Sequence, residues 1–406
     1  MKKLFAIIFL TAISLGASSQ QYGWKDISAN LPGTPNLTDV FFVSDDEGWI
    51  TSSSIAEIYH TTDGGQTFEV QTTLYTCNAI HMLNANVGYA GGASGFIYKT
   101  TDGGEHWDFH GTMSTTLADI SFPPAGDTGY CCGLNGNIWM IHSTGVTKMN
   151  SGVPDTQTGI SFPVNSSEGW VCGGSIIRHF INGTWTAADQ DYPSGGYNAI
   201  YMVDSLNGWV VGDGGIIALT TDGKNWFEQT NPDPQNHTLI KVYFLNTNQG
   251  WAINSGGRIL HTINGGTTWT IEADGLTTNT LLGIHFTSPT NGYAVGIGKT
   301  LLKYTEISGI GDNIQNLEFE VYPNPCRDKI SIRHSAPGTN VIPSGVEGQN
   351  SKLKIVDLYG RVVYEYKNSG VRESEIIVDV SHLPSGLYLV KLQTEDGVGV
   401  RKIIKL

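Results

Sequence analysis

The sequence predicts an all-β chain, a seven-bladed β-propeller followed by a small Ig-like β-sandwich. Three observations carry that expectation. The 406 residues include 51 Gly but only 15% charged side chains, with abundant Trp and Tyr; this balance favours turn-rich β structure over helical bundles, coiled coils or disorder. A Gly-Trp or Gly-Tyr pair returns seven times at intervals of 39–42 residues. Charge then divides the chain: residues 21–315 hold 26 acidic and 9 basic residues, a net −17, while residues 316–406 net +1. So acidic a propeller is unsuited to nucleic acid or anionic membranes, whose partners need a basic surface.

At the N-terminus, Lys2 and Lys3 precede the apolar run 4–15, followed by Ala17-Ser18-Ser19. A basic start, a short apolar stretch and a small-residue cleavage site read as a secretory signal peptide over residues 1–19. The run is shorter than the ~20 residues a spanning helix needs.

The propeller is expected over residues 20–308. Its repeated pairs begin at Gly48, Gly88, Gly129, Gly169, Gly208, Gly250 and Gly292. Each follows a β-rich run and precedes a second, third and fourth run, and four short strands per ~41 residues make one blade. A second motif marks the third-to-fourth-strand turn: TTDGGQTF with Asp63, Gly65 and Phe68, TTDGGEHW with Asp102, Gly104 and Trp107, TTDGKNW with Asp222 and Trp226, and TINGGTTW with Asn264, Gly266 and Trp269. Asp or Asn caps backbone N–H groups, Gly takes positive φ, and the aromatic packs between sheets. Blade 4 keeps a degenerate INGTW, and blade 3 has lost the motif. Blade 7 supplies three strands. Trp24 precedes Gly48 by the same 24 residues that separate Trp226 from Gly250, so residues 24–28 should close blade 7 as its fourth strand.

Beyond a linker at 309–316, residues 317–406 offer seven short alternating runs, enough for a sandwich. Four local patterns stand out: Pro323-Asn324-Pro325 after Tyr322, Asp357 through Gly360-Arg361, the LPSGLY segment ending in Gly386, Leu387 and Tyr388, and a terminal strand with Lys402 and Lys405. A Gly/Pro-rich stretch at 335–350 reads as a long loop.

Two resemblances follow from these motifs. The repeats resemble the photosystem II assembly and stability factor family, which implies a seven-bladed propeller; members of that family act through a basic patch, whereas this propeller has only Arg178 and Arg258. Residues 317–406 closely resemble the C-terminal sorting domain of the type IX secretion system. That resemblance implies passage through the periplasm, partnership with the type IX translocon and its processing peptidase, and a final location secreted or on the outer-membrane surface.

The turns also resemble the Asp-box of sialidases. Sialidases grip a carboxylate with three arginines, and two cannot make three. Other glycosidases need two flanking carboxylates. Ligands of propellers usually meet the face of the fourth-to-first connections, which makes the turn acids poor catalysts. The remaining candidates are Asp39 and Asp119, which share one repeat position with Lys241 and could line the channel mouth, and Asp213 in a second-to-third-strand turn. A solvated strand end is the plainer reading of all three. The loop at 188–198 offers Asp189, Asp191, Tyr192 and Tyr197, a set suited to a sugar, or else a plain interblade connection. His106 and His110 have metal-like spacing but are placed on a strand, where that spacing separates them. No metal or cofactor is expected. Cys132 and Cys172 share a repeat position in adjacent blades, leaving a disulfide or two buried thiols open. The function that fits best is a monomeric, exported, non-catalytic binding module for a glycan or protein. The alternatives are a glycoside hydrolase or lyase, and an assembly factor for an exported complex.

Overall fold

A computed structural model describes residues 22–124, 126, 128–149, 152, 155–164, 167–187, 193–307, 319–334, 351–356, 362–368, 376–394 and 397–406. The proposed signal peptide, the linker and the 335–350 loop lie outside them. The chain divides into two compact units, Tyr22–Glu306 and a second containing Ile307–Leu406.

The first unit is seven four-stranded antiparallel sheets in consecutive order. The inner strands are Leu37–Phe42, Cys77–Met82, Leu117–Ser121, Gly159–Ser161, Tyr197–Met202, Leu239–Phe244 and Leu281–Ser288. The seventh sheet is completed by Tyr22–Asp26, which pairs with Thr300–Glu306 and sets Trp24 opposite Tyr304. The closing strand therefore starts two residues before the expected 24–28, and Ser28 opens a short 3-10 turn instead. Pairing Tyr22–Asp26 with Thr300–Glu306 covers that strand's edge and ties the two ends of the propeller into one sheet.

Why Gly precedes an aromatic becomes clear at the end of each inner strand. There the chain places Phe42, Met82, Phe122, Phe162, Met202, Phe244 or Phe286 flat over the glycine of its own blade. A Cβ on Gly48, Gly88, Gly129, Gly169, Gly208, Gly250 or Gly292 would overlap that side chain. The following aromatic stacks on the equivalent residue of the next blade: Trp209 on Phe244 at 3.4 Å, Trp251 on Phe286 at 3.6 Å, Tyr130 on Phe162 at 3.7 Å, and Tyr293 on Phe42 at 3.7 Å across the ring closure. The pair is thus a glycine for clearance and a ring for interblade packing.

The second motif receives the polar end of the same aromatics. Trp49 Nε1 donates to Gly103 O at 2.9 Å, Trp170 Nε1 to Gly223 O at 2.9 Å, and Trp209 Nε1 to Gly265 O at 3.2 Å, each in the turn of the next blade. Within the turn, the Asp63 carboxylate accepts the N–H groups of Gln66 and Thr67, both at 2.9 Å, while Gly65 sits at φ +84°. In blades 3 and 4, two-residue turns take its place. Asn182 and Gly183, at φ +50° and +81°, carry the blade 4 hairpin between Ile181 and Thr184, in the backbone that Asn-Gly favours. Blade 7 lacks such a turn, and Glu272 receives the indoles of both Trp24 and Trp251 at 3.0 Å.

The second unit is a sandwich. One sheet holds Phe319–Tyr322, Lys329–His334 and Ile376–Asp379; the other holds Val362–Asn368, Ser351–Val356, Gly386–Thr394 and Gly397–Lys405. Ile330, Ile332, Leu353, Ile355, Val378, Val390 and Ile403 fill the space between them. Three of the four C-terminal patterns acquire a local cause. Asn324, between Pro323 and Pro325, accepts the Ile404 N–H at 2.9 Å and donates to Lys402 O at 2.8 Å, so it clamps the last strand. Lys405 is buried at the end of that strand. Tyr388, two residues after Gly386, folds back to donate to Pro384 O at 2.9 Å. Asp357, Gly360 and Arg361 lie outside the described residues.

Candidate functional site

Around the propeller axis, the inner strands present matching positions from blade to blade. Their polar side chains first serve the ring. Thr38 Oγ1 donates to Cys77 O, and Asn78 Nδ2 donates to Leu117 O, both at 2.9 Å. Ser121 Oγ accepts the Phe162 N–H and Ser161 Oγ accepts the Met202 N–H, both at 3.0 Å. Such bonds sew each inner strand to the next and satisfy backbone groups facing the channel.

Asp39 and Asp119 belong to the same system. Asp39 Oδ2 accepts the Ile80 N–H at 3.2 Å, and Asp119 Oδ2 accepts the Ile160 N–H at 3.1 Å. Their other oxygens converge on Lys241, whose Nζ lies 2.9 Å from Asp119 Oδ1 and 4.0 Å from Asp39 Oδ1. Shared repeat position has become shared space across the channel. Both acids are about 90% buried at the side chain. Burial raises the Asp39 carboxyl to about 6, against the pull of Lys241 and with a further push from Asp119. Burial would lower the Lys241 ammonium, but Asp119 and Asp39 together hold it above its ordinary value.

These three residues form one end of a cavity of about 390 Å³. Its wall is a collar two residues farther along the same strands: Phe41, His81, Tyr201, Tyr243 and His285, with Ser121 and Ser161. The rings are contiguous. Phe41 lies 4.6 Å from His81 and 4.4 Å from His285, His285 lies 5.1 Å from Tyr243, and Tyr243 lies 5.0 Å from Tyr201. Burial lowers His81 to about 4 and His285 to about 3, so both imidazoles are neutral at ordinary pH. The collar was not singled out from the sequence. Aligning the seven inner strands and reading two positions beyond Asp39 would have found it.

The rim brings a correction. Pro124, Pro163, Val203 and Leu245 complete the lining, and they follow the inner strands. They stand on the side of the third-to-fourth-strand turns, since Gly64 N bonds Asp46 O and Gly223 N bonds Leu206 O across that face. The cavity therefore extends toward the face opposite the one expected to receive ligand, and Asp39, Asp119 and Lys241 are its floor rather than its mouth.

The other candidates disperse. Asp213 is exposed on its own turn, accepts Asn198 Nδ2 at 3.1 Å, and is no part of the cavity. Asp189, Asp191 and Tyr192 lie outside the described residues. Tyr197 is buried, and its hydroxyl donates to Pro193 O. Asp102 and Asp222 cap their turns as Asp63 does. Asn264 accepts the Thr268 N–H at 2.9 Å, with Gly104 and Gly266 at positive φ. Phe68, Trp107, Trp226 and Trp269 pack between blades. His106 is in the blade 2 turn and not on a strand: its Nδ1 lies 2.7 Å from Asp102 Oδ2. Asp102, Glu105 and His106 are close together at the surface, but the Asp102 carboxylate is committed to the turn. Cys132 and Cys172 are free, buried thiols, with Cys77, Cys131 and Cys326. A second, apolar recess lies between Leu74, Phe96 and Phe109, and nothing in the structure shows what covers it.

Residues 320–406 match the family described as the secretion system C-terminal sorting domain, so the second unit is a type IX sorting domain and the chain carries a secretion signal. No curated protein matches the sequence. Among solved structures, YCF48 bound to a D1 peptide is similar at 23% identity and a TM-score of 0.59, over 70% of this chain and 94% of that one. YCF48 from Cyanidioschyzon merolae is similar at 18% identity and a TM-score of 0.55, over 70% and 98%. The WD40 propeller domain of Doa1 is similar at 10% identity and a TM-score of 0.61, over 71% and 98%. These likenesses establish the propeller fold.

Proposed function

We propose that this chain is an exported, non-catalytic binding module whose ligand site is the central channel of its propeller. One observation carries the reading. A cavity of about 390 Å³, within the range of ordinary ligand sites, is walled by five contiguous rings, while Asp119 is engaged through both oxygens and Asp39 Oδ1 stands 4.0 Å from Lys241. Asp39 and Asp119 each hold a neighbouring backbone N–H and share Lys241. A glycosidase needs one carboxyl free to protonate a leaving group and a second free to attack or activate water; this pair lacks the second, because Asp119 holds the Ile160 N–H with one oxygen and Lys241 with the other. YCF48 bound to a D1 peptide is a precedent for a propeller of this fold serving as a binder.

Delivery follows from the two ends. The signal at 1–19 leads the chain into the periplasm, and residues 317–406 engage the translocon and its peptidase, leaving the propeller secreted or on the outer surface.

The test incubates the exported protein with neutral and acidic oligosaccharides, peptides and small amines. Native mass spectrometry reads complexes, and product analysis reads new reducing ends. One bound ligand per chain without products is expected. Products that vanish in an Asp39→Asn or Asp119→Asn variant would replace the binding reading with the hydrolase. A stable protein complex recovered by crosslinking on cells, with no channel ligand, would favour the assembly factor.

A further inference from the structure

We propose that the channel takes an organic cation, a primary or quaternary ammonium group seated between the Asp39 carboxylate and the ring of Phe41. The proposal rests on the reading of the channel as the ligand site and names its ligand class.

Charge is the first argument. The floor holds two carboxylates and one ammonium, and they are unequally paired. Lys241 Nζ is in contact with Asp119 at 2.9 Å, whereas Asp39 Oδ1 stands off at 4.0 Å. With both acids ionised, the cavity carries one uncompensated negative charge, inside a propeller region whose sequence nets −17. An anionic ligand is disfavoured on both scales.

The wall is the second argument. Phe41 follows Asp39 by two residues and is flanked by His81 and His285. With both imidazoles neutral, the collar is an uncharged π surface above an anionic floor. A cation over aromatic faces, with a carboxylate behind it, is the arrangement that recognises alkylammonium groups. A sugar would need free donors and acceptors, and the collar has few. The Ser121 and Ser161 oxygens each accept a backbone N–H, and Tyr243 OH donates to Phe286 O at 2.7 Å.

Asp39 itself lacks a full counter-charge. Its raised pKa marks a carboxylate whose ionised form the protein compensates incompletely. A ligand cation supplies what is missing, so binding drives off the Asp39 proton near pH 6. The charged and titratable groups around Asp39 are Lys241, Asp119, His81 and His285, with the Cys132 thiol beyond Asp119. Lys241 remains charged and both imidazoles and the thiol remain neutral from pH 5 to 7.5.

The experiment titrates the exported protein with choline, cadaverine and a lysine-containing peptide, with maltohexaose and calcium chloride as comparisons. Calorimetry is run at pH 7.5 and pH 5. One amine should bind per chain, with affinity about tenfold weaker at pH 5, where roughly nine-tenths of Asp39 is protonated. Choline binding without peptide binding assigns a free small amine. Peptide binding that choline displaces assigns a lysine side chain. Asp39→Asn retains the Ile80 N–H acceptor and should weaken binding about 10–100-fold. Phe41→Leu leaves the floor intact and should weaken it about 2–5-fold. Amine binding unaffected by both substitutions, or no amine binding at all, overturns the proposal. Maltohexaose bound in the channel without any amine binding overturns the ligand class and leaves the binding module standing, whereas release of reducing ends from maltohexaose overturns both.

Discussion

Replacing Asp39 by Asn should stabilise the protein, and the gain should depend on pH in a calculable way. Asparagine keeps the acceptor for the Ile80 N–H and carries no charge. In the folded chain the Asp39 carboxyl is raised from 3.8 to about 6, so the fold holds its proton more tightly than the unfolded chain does. Ionising Asp39 costs the fold nothing below about pH 3.8; the cost grows from there to pH 6 and is complete above it. Two pKa units at 1.36 kcal/mol each make that cost about 3 kcal/mol. Every other titrating group is common to both proteins, so it largely cancels in the difference. Urea unfolding at pH 4, 5, 6, 7 and 8 should show the Asn variant gaining on the parent by up to about 3 kcal/mol between pH 4 and 7, then level. If the variant is the less stable protein at pH 7–8, or if the difference is flat, the attraction of Lys241 at 4.0 Å outweighs burial and the argument fails. A residue that costs stability while facing a cavity is the pattern expected where function has been favoured over stability.

Three further outcomes are expected. Trp24→Ala removes a buried ring that meets Phe286 edge-on at 5.6 Å and donates to Glu272; it should cost about 3–5 kcal/mol in urea unfolding, and a cost near zero would mean the closing strand contributes little. Trp49→Phe keeps the packing and loses the bond to Gly103 O, which also accepts Gln71 Nε2 at 3.1 Å; a loss of about 1 kcal/mol in thermal unfolding is expected, with faster amide exchange in the turn around Asp102. A thiol reagent should find none of the five cysteines in the native protein and all five in denaturant, since burial pushes Cys77 to about 12 and Cys131 higher still; any missing thiols in denaturant would indicate a disulfide.

Blade number, strand order and the turn motif were legible because each is written locally and then repeated. A glycine that must clear the Phe or Met of its own blade, followed by a ring that packs on the next, leaves the same mark every 39–42 residues. The sorting domain was legible for a related reason: Asn324 and Tyr388 make short-range or terminal bonds that need those residues in that order. His106 falls outside the strand because the blade 2 turn runs on to Asp108, where the fourth strand begins.

The sequence alone could show that Asp39, Asp119 and Lys241 occupy one repeat position. It could not show that they meet. Lys241 follows Asp119 by 122 residues, and their contact across the axis exists only once seven sheets have closed into a ring of a particular bore. The same closure brings Phe41, His81, Tyr201, Tyr243 and His285 into one collar and decides which end of the channel is lined. Repetition is a property of neighbours along the chain. A cavity is a property of the closed ring, set by how far apart seven inner strands must stand for their side chains to pack.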